Sequence, residues 1–107
     1  MQNTAINIIR EELEKRGIKV LKILLFGSRA RGDFEEDSDW DFLIIIDKEI
    51  EHRQRREIIG DIYKNLAKID GSYEIIIKQQ SVFEKMKNLI GCVSYDADKD
   101  GVIVWKS

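Results

Sequence analysis

Between Val20 and Asp47 two apolar, strand-like runs face each other across a short polar loop, VLKILLF-GSRARGDFEEDS-DWDFLIIID. The break opens with Gly27-Ser28, and ten residues later the second run starts with Asp39-Trp40-Asp41. Side chains two apart on a strand share a face, so Asp39 and Asp41 project together while Trp40 points away. Paired carboxylates at the mouth of a buried strand suit a divalent cation. On the other side of the loop, Gly27 lets the backbone come close to a ligand. Ser28 brings a hydroxyl and an amide to a helix start, where unpaired N–H groups favour phosphate. The two halves answer one ligand, a metal-bound triphosphate.

The remaining elements arrange themselves around that pair of strands. Ile6, Ile9 and Leu13 recur at helical spacing between charged positions and Gly17 ends the pattern, which predicts a helix over Thr4–Arg16. Val20–Phe26 and Asp39–Asp47 are the two strands, joined by a short helix over Gly27–Arg31 and an acidic loop over Gly32–Ser38. Ile58, Ile62, Leu66 and Ile69 mark an amphipathic helix within Glu49–Ile69. Tyr73–Lys78 is a third strand. Ser81-Val82-Phe83-Glu84 has the form of a capping box, and Phe83, Met86, Ile90 and Val93 carry a helix to Tyr95. After a turn at Asp100-Gly101, Val102–Trp105 is a short last strand at a sheet edge. The expected fold class is α/β (α+β): a mixed sheet of about four strands with helices packed on it, in one domain spanning 1–107.

Composition narrows the function classes. A net charge of −2 argues against a bulk nucleic-acid-binding surface. No apolar run reaches membrane-spanning length, and the first sixteen residues mix charges into their apolar positions, so the expected location is the cytoplasm. One cysteine, Cys92, and one histidine, His52, leave no internal disulfide and no Cys/His zinc site. The cluster His52-Arg53-Gln54-Arg55-Arg56 is offset by Glu49, Glu51 and Glu57 and reads as the solvated face of a helix.

Other phosphate and metal motifs fail on specific residues. Gly27 and Gly32 have the spacing that opens a P-loop, but Asp33-Phe34 stands where a Lys and a Ser or Thr are needed. Asp37, Asp39 and Asp41 imitate the start of a calcium loop, yet Phe42 replaces its turn glycine and Lys48 its closing Glu.

The combination that survives is an apolar strand, Gly27-Ser28, Arg29, Gly32, Ser38, Asp39, Asp41 and a second apolar strand. It resembles the signature of the DNA polymerase beta-like nucleotidyltransferase superfamily, and the short chain is similar to its minimal nucleotidyltransferase branch. The resemblance covers about Leu24 to Asp47 closely and the rest in element order. It implies transfer of a nucleoside monophosphate, AMP from ATP, to a hydroxyl, with two magnesium ions (or manganese) shared by Asp39 and Asp41. Metal pairs of this kind sit roughly 3.5–4 Å apart and clamp the attacking and leaving oxygens. The family carries an Asp just inside its third strand; here Glu74 stands there as the expected third metal ligand and catalytic carboxylate, with Asp70 as the fallback. Gly27, Ser28 and Arg29 are the expected nucleotide-binding residues.

The same resemblance implies a small helical HEPN-type toxin as the partner that is bound and modified, which would make the chain an antitoxin; a homodimer is the other expectation. Trp105, Val102–Val104 and Tyr95 are the apolar positions where a second chain could pack. Two alternatives stay open: an antitoxin-like nucleotide-binding module without turnover, and an adenylyltransferase acting on antibiotic-type small molecules.

Overall fold

A computed structural model describes residues 2–107. The first helix, α1 (Gln2–Glu14), buries Ala5, Ile6, Ile9 and Leu13 along one stripe and stops before Gly17, whose φ of 77° only glycine adopts readily. β1 (Val20–Phe26) follows, then α2 (Ser28–Arg31), β2 (Trp40–Ile46), α3 (His52–Leu66), β3 (Tyr73–Gln79), α4 (Gln80–Met86), α5 (Val93–Asp100) and β4 (Val102–Lys106).

The strands form one sheet in the order β3-β2-β1-β4, with β2 and β3 parallel and the other neighbours antiparallel. This is the expected mixed four-stranded sheet. Its two central strands are covered on both sides, which is why LIII of β2 can be continuously apolar. Ile23, Leu25, Phe42 and Ile44 face α1 and α3, joined by Ile58, Ile62 and Leu66. Leu24, Phe26, Leu43 and Ile45 face the opposite way, against Phe83 of α4 and Ala97 of α5. Alternation along each strand therefore feeds two cores, and burial of each large side chain contributes about 1.5–3 kcal/mol.

The parallel pair needs a crossover, and α3 supplies it. Side chains of α3 also close the open edge of β3: the Ile75 N–H donates to the Tyr63 hydroxyl at 2.8 Å, and the Arg55 guanidinium donates to the Ile77 carbonyl. α3 is fastened to α1 as well. Glu12, only 6% exposed, accepts from Arg16 at 2.8 Å and from Asn65 of α3 at 2.6 Å, and Arg16 reaches Asp61.

The C-terminal third departs from the sequence reading. The single helix expected from Ser81 to Tyr95 is two helices: α4 ends at Met86, residues 87–92 turn through Gly91 at φ 95°, and Ile90, counted as a core position, is 84% exposed. No capping box forms at Ser81: the helix is already under way there, and Gln79, extended at φ −70° and ψ 145°, is the cap residue without a side-chain bond. The expected turn at Asp100-Gly101 is the end of α5, where the Gly101 N–H donates to Ala97 O at 2.9 Å. Trp105 is half-buried, with the Arg10 guanidinium 4.2 Å above its ring, while Val102 and Ile103 are the exposed apolar members of β4. Among the described residues no helix is long and apolar enough to cross a membrane.

Candidate active site

The antiparallel β1–β2 pair and the parallel β2–β3 pair bring one end of each strand to the same edge of the sheet. Phe26 pairs with Asp41, and Asp41 pairs with Glu74. The residue after Phe26 is Gly27, so the Gly-Ser turn and two carboxylates lie in a row across three strands. Asp41 has the parity of Leu43 and Ile45 and thus belongs to the face that α4 and α5 cover; Glu74, with the parity of Ile76, shares it. Asp39, immediately before β2, joins them. Carboxylate oxygens of Asp39, Asp41 and Glu74 all lie within 4.8 Å of one another, with Asp39 and Glu74 exposed and Asp41 half-buried.

Glu74 rather than Asp70 completes the cluster. Asp70 sits in the turn before β3, where its carbonyl accepts the Tyr73 hydroxyl at 2.7 Å. It lines a cavity of about 590 Å³ with Arg29, Trp40 and Ser72.

Three acidic groups this close repel one another, and Asp41 bears the consequence. Burial, the proton it would share with Glu74, and the charges of Glu74 and Asp39 push its carboxyl up to about 6, with Arg31 opposing them. A divalent cation relieves that repulsion, and an all-oxygen carboxylate set is the donor chemistry magnesium and manganese take. The residues present fit such an ion.

Gly27 is required by its contact with Asp41. It adopts φ 75° and ψ −159°, and a β-carbon built on it would lie 2.1 Å from Asp41 Oδ2. Its carbonyl accepts the Ala30 and Arg31 N–H groups at 3.1 Å, which starts α2 and places Ser28 at the first helical position beside the cluster. The first amides of such a turn have no intrahelical partner.

Arg29, expected to bind nucleotide, makes its hydrogen bonds within the loop that follows α2. Its Nε donates to Ser38 O at 3.0 Å and its Nη2 to Glu36 O at 2.9 Å; its guanidinium lies 4.2 Å from the Trp40 ring centroid and 4.8 Å from that of Phe34. Trp40 in turn stacks on Phe42, and Phe42 on Tyr73, so it is a packing aromatic as its type suggests. The roles of Tyr63 and Arg55 at the β3 edge carry no local sequence signal, because their partners are backbone groups at least twelve positions away.

A Gly-Ser turn and three carboxylates at one end of a mixed sheet suit a metal-bound nucleotide, and known proteins supply the family. The profile of the nucleotidyltransferase domain family matches residues 6–101, and the chain belongs to that family. Two relatives from Methanocaldococcus jannaschii are each 36% identical: "Putative protein adenylyltransferase MJ0604" over 70 residues and "Putative protein adenylyltransferase MJ0141" over 59. These matches cover 65% and 55% of this chain, and 65% and 56% of the relatives' own lengths. Among solved structures, a mutant of the toxin–antitoxin MntA-HpeT superposes with a TM-score of 0.60 at 15% identity, covering all of this chain and 74% of the other. A toxin–antitoxin crystallised with AMP-PNP gives 0.54 at 18% identity, covering 94% and 73%. At these identities the structural likeness establishes the shared fold.

Proposed function

We propose that this chain is an adenylyltransferase that moves AMP from ATP to a hydroxyl on a partner protein. The observation that carries the reading is the meeting of Asp39, Asp41 and Glu74 beside the Gly27-Ser28 turn. Asp39, Asp41 and Glu74 would hold the metal, and the turn would hold the phosphates through the Ser28 hydroxyl and the free amides of α2. Bound magnesium, two ions in this class of site, supplies charge neutralisation on the triphosphate.

In the transfer, the acceptor oxygen bonds to the α-phosphorus, the bond to the bridging oxygen breaks and pyrophosphate leaves. The acceptor proton passes to a carboxylate of the cluster, for which Glu74 is suited by its exposure. Asp41, held in the ladder between Phe26 and Glu74, fixes the cluster's position.

The acceptor is assigned to a partner protein, in keeping with the names of the M. jannaschii relatives, and a HEPN-type helical toxin is the proposed partner, in keeping with the toxin–antitoxin neighbours. The structure adds exposed apolar side chains at Leu89, Ile90, Val102 and Ile103 for contact with a second chain. Incubation with α-labelled ATP, magnesium and the protein encoded beside it tests the reading. Label should appear on the neighbour and vanish with Glu74→Gln, while Glu74→Gln keeps most of the ATP affinity. Equal ATP affinity with and without chelator, or full activity in Glu74→Gln, would overturn it.

A further inference from the structure

Of the three clustered carboxylates, two are fixed by the sheet. Asp41 and Glu74 lie in the ladder, opposite each other across β2–β3. Asp39 has no such support: it is exposed, precedes β2, and follows a loop from Gly32 to Ser38 that makes no ladder contact. An unsupported loop carboxylate lowers metal affinity, because the ion must restrict it on binding.

The residues around Asp39 are nevertheless held, and one side chain holds most of them. Arg29 forks to the carbonyls of Glu36 and Ser38, so the peptide leading into Asp39 is fixed from one side. On the other side the Trp40 N–H donates to Ser72 O at 2.8 Å. The guanidinium also stacks on the rings of Phe34 and Trp40, which bracket the same loop. Ser38 closes the loop on itself, accepting the Glu35 N–H at 2.9 Å through its hydroxyl. Arg29 springs from α2, whose start is fixed against Asp41 by Gly27. A single side chain thus ties the phosphate-side turn to the loop that carries Asp39.

We propose that Arg29 is a positioning residue for metal binding rather than a phosphate ligand: it locks the Phe34–Trp40 loop so that Asp39 is already placed when the ion arrives. This rests on the reading of Asp39 and Asp41 as metal carboxylates. A lysine cannot replace the fork, since a point ammonium does not hold two carbonyls and stack on a ring at once.

The test compares wild type, Arg29→Met, Arg29→Lys and Phe34→Ala by Mn2+ titration followed by electron paramagnetic resonance, and by amide exchange over residues 34–40. Loss of a group bonded directly to a metal ligand typically weakens binding about ten- to a hundredfold, and Arg29 acts one peptide further out, so about tenfold is expected here. Arg29→Met should weaken Mn2+ by that amount and speed exchange of the loop, with Arg29→Lys between it and wild type. Its ATP KM at saturating metal should stay near wild type. Phe34→Ala, at a half-exposed ring, keeps the fold and should give a smaller shift in the same direction. Unchanged Mn2+ affinity and loop exchange in Arg29→Met, or a raised ATP KM with Mn2+ binding intact, would overturn the proposal. If wild type itself bound no Mn2+, the metal reading of the site would fall, and unchanged loop exchange in Arg29→Met would then separately overturn the locking role.

Discussion

A β-carbon on Gly27 would sit 2.1 Å from Asp41 Oδ2, so the glycine that turns β1 into α2 is also the wall of the carboxylate cluster. Gly27→Ala must move either the turn or Asp41, and it adds the cost of a positive φ on a residue with a side chain. The expected loss is about 2–3 kcal/mol of stability together with loss of metal binding. Gly32 is the control: its φ is 87° but nothing lies within 4 Å of its would-be β-carbon, so Gly32→Ala should cost about 1–2 kcal/mol and leave the cluster intact. Chemical denaturation and Mn2+ titration of both variants check the contrast.

Asp41 gives a pH signature. Its carboxyl rises from 3.8 to about 6, chiefly through burial and then through Glu74, so the metal-free folded protein holds a proton there that the unfolded chain has released. Over that window the folded state binds more protons, and the contribution of Asp41 to stability falls as pH rises from about 4 to about 6. Glu12 works in the opposite sense: Arg16 holds its carboxyl low against the effect of burial, so its contribution is lost as pH falls. The measurement is therefore a difference. With chelator present, wild type minus Asp41→Asn should show a melting temperature that declines between about pH 4 and about pH 6, and magnesium should raise the value more at the higher pH. A flat difference would count against the crowding of Asp41.

The grouping of the three carboxylates was legible in the sequence, and the reason is local. Strand parity put Asp39 with Asp41, and the Gly-Ser break marked the turn, because both signals span few residues. Glu74 was legible too, as the acidic residue at the mouth of the third strand. Arg29's place in the loop was not: its type suits phosphate, and only the folded loop shows its Nε and Nη2 donating to the Ser38 and Glu36 carbonyls. Periodicity misled at Ile90, where a helical repeat ran on although α4 ends at Met86 and the chain turns through Gly91 at φ 95° before α5 begins. Glu12 read as one more charge on the polar side of α1, since nothing nearby in sequence announces Asn65 and Asp61.

Glu12 should prove one of the more sensitive polar positions for folding. It is a buried carboxylate that accepts from Arg16, Lys15 and Asn65, joining α1 to α3. Glu12→Ala leaves Asn65 without this acceptor and Arg16 with Asp61 as its remaining carboxylate, for an expected loss of about 3 kcal/mol. Replacing Glu14, the exposed partner of Arg10, with Ala should cost less than about 1 kcal/mol, since Arg10 keeps its contact with Trp105. Urea denaturation of the two variants distinguishes a buried junction from a surface pair.

The edge of β3 offers a way to disturb the site from a distance. Tyr63 is the acceptor for the Ile75 N–H in a part-buried bond, so Tyr63→Phe leaves that donor without its partner on the strand that carries Glu74. An unmet donor costs up to about 1–3 kcal/mol when buried, and here the cost can be lowered by letting the start of β3 fray. Fraying moves Glu74 away from Asp41, because the β2–β3 ladder sets the two opposite each other. The variant should therefore lose about 1–2 kcal/mol of global stability, exchange the Ile75 amide faster, and lose a larger share of transfer activity than of ATP binding. Amide exchange at Ile75 read beside the kcat and KM of the same preparation checks the link, and fast exchange with unaltered kcat would show that Glu74 does not depend on the edge of its strand.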